Sequence, residues 1–426
     1  MDRSSSQNLD NAAPEFGTRH PMRVQAESSQ VKRITVVGSG PAAVSLAAAL
    51  QLRGQLVTVR APGGLTPRGH TLCAFVDQLD ETVTGDRYPR SVVETEAGGI
   101  DLQRAYARVD DTPGRAALAE ACTVLDGRVD ASTVWPMGEV VVDATGHAPV
   151  LLRREDADQA WQSAFGIVVR GTDVHLPPGT ALFMDWRSPD VDDGGPPSFL
   201  YALSGDDGTL LLEETTLASL SPVPTEILRT RLAARLRRRG TVIDDVLGDE
   251  VVCFPMAGGL PRRGQRVAGF GASLGLVSPV SGYSVARALA LAPLVADTIV
   301  AADAAAVGDA VIDAVWTTEA RSLRTLQRFA LTAACSFNQQ EASAFFAAFF
   351  ALPAPQWRGF LDGTDTVKQA RSTMLTLFST STLSLRFRLM AGAWSPTGVA
   401  VATDMLRPFF GAGGGRAKPF LTTTLV

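Results

Sequence analysis

The sequence predicts an α/β fold: a Rossmann-like layer assembled from discontinuous segments, an antiparallel β-sheet domain and a helical C-terminal region. Three observations predict it. Residues 33–60 read as strand, glycine turn, helix and strand. Short apolar strands then follow one another between Phe165 and Leu217. A late stretch beginning at Arg266, RVAGFGASLGLVSPVSGYSVARALALAPLVA, returns to strand, glycine turn and helix before a helical pattern takes over beyond about residue 305.

Taken in order, the first 21 residues, MDRSSSQNLDNAAPEFGTRHP, are polar and lack an apolar signal core. Residues 1–30 are therefore expected to be a leader outside the fold, with Met22 as a native start. RITVV (33–37) is a β-branched strand, and it runs through GSGPAA into an alanine-rich helix ending near Leu52. LVTVR (56–60) follows as a second strand, which completes a βαβ unit. After a variable stretch from Ala61 to Gly99, GEVVVDATG (138–146) reads as another buried strand ending in a turn. FGIVVRG, ALFMDWR, SFLYALS and TLLLEETTL are separated by proline, glycine and aspartate turns, as in an antiparallel sheet. ILRTRLAARLRRRG (227–240) is helical. Its six arginines read mainly as a solvated face, with a contact to anionic lipid as the alternative. The expected division is 31–60, 105–150 and 255–304 for the dinucleotide layer, 61–104 and 151–254 for a substrate-binding sheet domain, and 305–426 for the helical region.

Composition narrows the function. The chain has 426 residues, 46% of them hydrophobic, enough for a sizeable core. Its net charge of −5 offers nothing to a phosphate backbone, so nucleic acid is excluded as a partner. The four cysteines (Cys73, Cys122, Cys253, Cys335) are far apart and form no metal-ligand pattern, which suits a reduced, cytoplasmic protein without a metal. No uncharged stretch reaches the 18 or so apolar residues that would cross a bilayer. The phenylalanine-dense FFAAFF (345–350) and the nearby Trp357 suggest a membrane-docking face, with a buried helix as the alternative. A peripheral association with a membrane surface is the expectation.

Gly38-Ser39-Gly40-Pro41-Ala42-Ala43 fits G-x-G-x-x-G/A in the strand-to-helix context that gives the pattern meaning. Gly38 allows the tight turn. Gly40 lets backbone N–H groups approach a pyrophosphate at the helix N-terminus, and Ala43 takes the place of the third glycine. The acidic residue expected about 20 positions on for an adenine ribose is absent, and Arg60 stands there instead. Either other groups hold the ribose or the arginine faces a phosphate, which keeps NADP open.

VVVDATG (140–146) and RVAGFGASLGLVSPVSGYS (266–284) resemble the second and third signatures of the glutathione-reductase-like flavoproteins, in the branch of the aromatic hydroxylases. Where that branch carries G-D, this chain has Gly271-Ala272. The following P-x-x-G is kept as Pro279 and Gly282. FMDWR (183–187), PPSFLYAL (196–203), LLEETTLAS (211–219), FPMAGGLP (254–261) and GLVSPVSGYSVARAL (275–289), in that order, resemble the lycopene cyclase family, particularly its actinobacterial members. HTLCAFVDQL (70–79) and YARVD (106–110) are weaker echoes of its early motifs. The resemblance implies FAD as cofactor, active when reduced, with NAD(P)H as electron source. Arg108, Asp143, Gly146, Gly271, Pro279, Gly282 and Tyr283 would join the glycine loop and Arg60 as cofactor-binding residues. It also implies a lipophilic, lycopene-like polyene as substrate, whose linear ψ-ends are closed to ionone-type rings without net redox change. In that mechanism a carboxylic acid protonates the terminal double bond, and an internal double bond attacks the cation. A base then removes a proton, while reduced flavin stabilises the cation or relays the proton.

A carboxyl group that donates to an alkene must stay protonated near neutral pH, and burial beside a second carboxylate raises its pKa in that way. TLLLEETTL meets both conditions. Strand alternation puts Glu213 and Glu214 on opposite faces. The family's L-E-E-T motif favours Glu213 as the acid, with Glu214 orienting it, although two charges at a wet strand end would give the same pattern. Phe183, Trp186, Phe199, Tyr201 and Tyr283 lie in the same motifs, where aromatic faces can line the substrate site and stabilise a cation, or simply pack. Asp185 is a further catalytic candidate, or the partner of Arg187 in a structural pair. His70, His147 and His175 form no triad or metal pattern. The competing readings are a flavin monooxygenase or halogenase on the same fold, and cyclase chemistry on another terpenoid. The missing G-D aspartate and the L-E-E-T motif weigh against the first.

Overall fold

A computed structural model describes residues 31–67, 69–130, 139–157, 160–171 and 176–391. Residues 1–30, expected to be a leader, His175 and the chain beyond 391 lie outside the described residues. β1 (Arg33–Val37) is buried after its first residue and passes through Gly38–Gly40 into α1 (Pro41–Gln51), where Pro41 occupies the first turn and no donor is lost. β2 (Leu56–Ala61) then lies parallel to β1, Ile34 opposite Val57. Short strands follow: β3 (Cys73–Phe75), β4 (Thr84–Tyr88), β5 (Arg90–Thr95), β6 (Gly98–Asp101) and β7 (Tyr106–Val109). The chain returns to the first layer with α2 (Thr112–Ala121), β8 (Thr123–Asp126) and β9 (Val140–Asp143). Next come β10 (Trp161–Arg170), β11 (Thr180–Asp185), β12 (Ser198–Ser204), β13 (Thr209–Ser219), α3 (Thr225–Arg238), β14 (Asp245–Pro255) and β15 (Ala268–Gly269). Seven helices close the described chain: α4 (Val285–Ala301), α5 (Val307–Val315), α6 (Thr318–Ala334), α7 (Gln339–Phe350), α8 (Ala354–Asp362), α9 (Val367–Thr380) and α10 (Leu383–Ala391).

These strands make three sheets. The first is parallel, in the order β15-β9-β1-β2-β8, so the three stretches of the predicted Rossmann-like layer meet in one sheet, and α1 packs on α4 beside it. The second has the order β14-β10-β13-β12-β11-β5-β6 and is antiparallel except where β11 meets β5. The third is β3-β7-β4. Residues 105–111 therefore depart from the expected dinucleotide segment, because β7 pairs with β3 and β4 rather than joining the parallel sheet. β7 lies between those strands because its Tyr106 completes an aromatic core with Phe75 and Phe183.

Two surface expectations are corrected. FFAAFF does not face outward: Phe346, Phe349 and Phe350 are buried in α7, Phe346 stacks on Trp186 at 4.5 Å, and Trp357 is buried behind Phe350. The arginines of α3 are not simply a solvated face either. Leu228, Arg231, Leu232, Arg235 and Leu236 form one buried stripe at helical spacing, in which the two arginines alternate with leucines and their guanidinium groups pair with Asp193 and Glu214.

Candidate active site

The second sheet carries a row of four residues on one face. Tyr201 on β12 stands opposite Glu213 on β13; Glu213 stands opposite Gly166 on β10; and Gly166 stands opposite Glu250 on β14. Directly opposed residues share a face, so both glutamates point to the same side, with only a glycine between them. A methyl group at Gly166 would sit 3.2 Å from Glu213 Cβ and 3.1 Å from Leu211 Cδ1, so the glycine makes room for the glutamate.

That face lines a cavity of about 440 Å³, within the size range of small-molecule sites, roughly 300–1,000 Å³. Glu213 is half-buried, lining the cavity. Burial pushes its carboxyl up to about 7; the hydroxyl of Thr215 pulls the other way, and the Glu250 charge adds to the rise. Thr215 Oγ1 donates to Glu213 Oε1 at 2.6 Å, which leaves the second oxygen to carry a proton. Around the carboxyl the walls are aromatic. Phe183 meets Tyr106 edge-on at 5.4 Å and Tyr283 at 6.5 Å, and Phe199 and Tyr201 complete the lining. The hydroxyls of Tyr106 and Tyr283 lie 2.6 Å apart, and Tyr201 donates to Tyr106 at 3.2 Å. Burial holds Tyr106 and Tyr201 well above the ordinary phenol range and pushes the Cys73 thiol up to about 12, so these groups stay neutral.

The opposite wall is built by the glycine-rich segments. Gly146, Ala272, Gly282 and Tyr283 line the same cavity as Glu213. The turn from Ser278 to Tyr283 is closed by Gly282 N–H donating to Ser278 O and Ser278 N–H to Tyr283 O, and it contains the buried Pro279. It hands the chain to the N-terminus of α4, whose first residues reach the cavity with no side-chain cap. At α1, a Cβ on Gly38 would come within 2.3 Å of Ala144 O, so this position tolerates only glycine; a Cβ on Gly40 would meet nothing within 4 Å. The first turn of α1 that follows, Pro41 to Ala43, has no side-chain cap and no acidic residue. Gly271 touches this loop directly, since its Cβ would come within 2.6 Å of Ala42 Cβ. Arg115, which the sequence reading missed, donates to Ser39 O at 2.6 Å and to Leu65 O at 3.1 Å and holds the loop from below. An uncapped cradle at α1 joined to a second uncapped helix start at the cavity fits a dinucleotide with an electron-rich ring, as FAD would require.

Other expected site residues lie elsewhere. Asp143 does not face the cradle. It accepts from Thr145 N, Thr145 Oγ1, Leu151 N and Ser273 Oγ, tying the β9 turn to the late glycine segment. Arg60 lies at the end of β2 beside Gly127. Arg108 contacts Asp86 at 3.6 Å and the Leu203 carbonyl, in the substrate-side sheets rather than at the glycine loop. Glu214 points to the far side of its sheet, fully buried, where Arg235 grips both of its oxygens at 2.8 Å and Ser198 Oγ donates at 2.6 Å. Asp185 is on that side too. Burial opposes its charge, but the bonds from Arg187 and the charges of Arg235, Arg187 and Arg239 outweigh it and hold the carboxyl below the usual range. An acid that stays ionised cannot donate to an alkene, and Asp185 is paired with Arg187 and Arg239 away from the cavity, while Trp186 packs between Phe199 and Phe346. Glu250 and His70 were missed or set aside. The alternation of β14 places Glu250 with the cavity-lining Val252 and Phe254, a period-2 signal that the sequence does contain.

Comparison with known proteins follows the same lines. The family model described as lycopene cyclase protein matches residues 33–387. A carotenoid cyclase of Deinococcus radiodurans, uncharacterized, is 33% identical over 387 residues, 84% of this chain and 93% of that one. The lycopene beta cyclase of Synechococcus elongatus is 30% identical over 389 residues, covering 83% and 95%. Two solved structures share the fold. A geranylgeranyl bacteriochlorophyll reductase-like protein from Thermoplasma acidophilum has a TM-score of 0.57 at 10% identity, over 88% of this chain and 99% of that one. A variant of the halogenase PltM in complex with FAD has a TM-score of 0.54 at 10% identity, over 89% and 96%.

Proposed function

The chain belongs to the lycopene cyclase family, and from that premise we propose that it is a reduced-FAD-dependent carotenoid cyclase, an isomerase that closes the linear ψ-ends of a lycopene-like polyene to β-ionone rings. The observation that carries this reading is Glu213: a carboxyl enclosed in an aromatic cavity, held protonated up to about pH 7, facing the wall built by the glycine-rich segments.

Glu213 donates its proton to the terminal double bond, and Thr215 keeps the other carboxyl oxygen occupied. The faces of Phe183, Phe199, Tyr201 and Tyr283 surround the cation that forms and keep water from capturing it. An internal double bond closes the ring, and loss of a proton to a base returns a neutral product of unchanged mass. The α1 N-terminus after Gly40 would hold the FAD pyrophosphate, Arg60 would lie toward the adenosine end, and the Ser278–Tyr283 turn with the start of α4 would hold the ring. Reduced FAD held by these residues, with NAD(P)H as electron source, would supply negative charge to stabilise the cation and no net electrons.

A second reading keeps the chemistry and changes the substrate to another terpenoid. It is favoured by one observation: the weakly matching HTLCAFVDQL segment contributes His70, Thr71, Leu72 and Cys73 to the cavity wall, where the shape of the substrate end would be read. Anaerobic incubation with lycopene and FAD, with and without dithionite, separates the readings. A product of unchanged mass and altered retention, formed only with reductant, supports the first. Cyclisation of a shorter polyprenyl compound with lycopene inert supports the second. A product heavier by one oxygen in air overturns both.

A further inference from the structure

We infer that Glu250 and His70 form the proton-supply route to Glu213, a reading that rests on Glu213 being the donor. Each ring closure takes one proton from the Glu213 carboxyl and delivers one to a base, so the carboxylate left behind must regain a proton before the next closure. The cavity around it is aromatic and neutral, with Tyr201, Tyr106 and the Cys73 thiol all held in their protonated forms. On the remaining side lies Gly166 and, one strand further, Glu250.

The geometry suits a relay. Glu213 and Glu250 are two strand spacings apart, roughly 9–10 Å between Cα atoms, and they share one face of the sheet on either side of a residue that has no side chain. That span is closed by two glutamyl side chains and one bridging water, and a polar gap of this kind holds water readily. Glu250 is almost fully buried, with its side chain only 5% exposed, yet one of its oxygens is anchored by Thr71 N–H at 2.7 Å and lies 3.8 Å from His70 Nδ1. His70 is 56% exposed at the mouth of the cavity. Imidazole is the side chain suited to trading protons with solvent near neutral pH. The groups facing Glu250 are then His70 and Cys73 from the segment entering β3, Arg108 behind Cys73, and Glu213 across β10; Asp249 on its own strand points outward. In the transfer, a proton from bulk water protonates His70, passes to Glu250, crosses the bridging water and restores the Glu213 carboxyl. His70 and Glu250 end as they began.

The test uses the full chain reconstituted with FAD and reductant, assayed on lycopene, together with infrared titration of the resting protein. Glu250→Gln and His70→Gln should each lower kcat about tenfold or more with KM little changed, and imidazole should restore the His70→Gln rate. In the resting protein, the protonated-carboxyl band that Glu213→Gln abolishes should titrate at lower pH in Glu250→Gln, because the charge that opposes Glu213 ionisation has gone. Gly166→Ala, which alters no titrating group, should slow turnover by wedging a methyl between the two carboxyls. Wild-type rates and an unshifted Glu213 band in Glu250→Gln would overturn the relay. Full turnover in Glu213→Gln would instead remove the donor, and with it the premise.

Discussion

Adjacent glutamates in one strand have opposite fates because one step along β13 changes the face of the sheet. Glu213 enters the cavity, where ionisation is opposed, whereas Glu214 enters the α3 side, where Arg235 compensates its charge. Glu213→Gln should lower turnover by about a thousandfold, in the range of a lost general acid, while FAD stays bound; retained turnover would eliminate it. Its effect on stability should be the reverse. Wild-type Glu213 binds its proton more tightly when folded, an advantage present in full below pH 4.5 and lost as pH rises through about 7. Gln buries no charge, so Glu213→Gln should gain stability over wild type between those values, on the order of 3 kcal/mol at pH 8 and nothing at pH 4, as read from denaturant midpoints. For the same reason wild-type activity should fall about tenfold per pH unit above pH 7, because only the protonated acid donates. Breaking the other pair by Arg235→Met should destabilise the fold by about 3–5 kcal/mol, since Glu214 is left as a bare buried charge. Adding Glu214→Leu should recover most of that loss, and the pH limb of activity should not move in either variant. The choice between the glutamates is not legible in TLLLEETTL. It depends on which side of the sheet receives α3 and which receives the glycine-rich wall, and only the assembled sheets decide that.

Elements with strong local signals were readable before they were assembled. RITVV-GSGPAA and its helix, the four strands from Phe165 to Leu217 and the late GFGASLG turn all form where periodicity and glycine placement put them. What the sequence conceals is the partner of each charged side chain. In α3 the arginines at 231 and 235 fall on the leucine stripe, which was legible, but their carboxylate partners Asp193 and Glu214 lie 38 and 21 residues away in sequence. FFAAFF looks like a surface for lipid, yet α6–α10 pack over the sheet and share one core with its Phe183, Trp186 and Phe199. The late glycine turn offers a test of how the layer was joined. Gly271 has φ +64° and lies against Ala42, so Gly271→Ala would both strain the backbone and push the glycine loop. The left-handed strain alone is about 1–3 kcal/mol, and because it falls on the cradle, FAD affinity should drop about tenfold or more while the far-UV spectrum is unchanged. Unaltered flavin affinity by fluorescence quenching would show that the cradle does not hold the cofactor.

At the scale of the whole molecule, a lipophilic polyene must reach a cavity whose inner end holds the acid. No helix among the described residues is long and apolar enough to cross a membrane, and the phenylalanines once suited to docking are buried. Among the described residues, α10 exposes Leu383, Phe387 and Met390, and a second exposed apolar strip runs along β14, the edge of the seven-stranded sheet, beside the cavity. Val242, Val246, Leu247 and Val251 are open to solvent there, and Val251 also lines the cavity. An uncovered apolar edge next to the mouth is where a bilayer could pass its solute to the protein without water between them. Asp244, Asp245 and Asp249 beside these residues would keep the contact shallow, at the level of the headgroups. The double substitution Val246→Glu and Leu247→Glu should therefore lower turnover of lycopene embedded in phosphatidylcholine vesicles about tenfold, and should reduce co-sedimentation with those vesicles. Turnover of lycopene dispersed in detergent should stay at the wild-type rate, because neither position is part of the cavity. Equal losses in vesicles and detergent would mean the substitutions damaged the sheet, and equal retention in both would mean the polyene enters from another face.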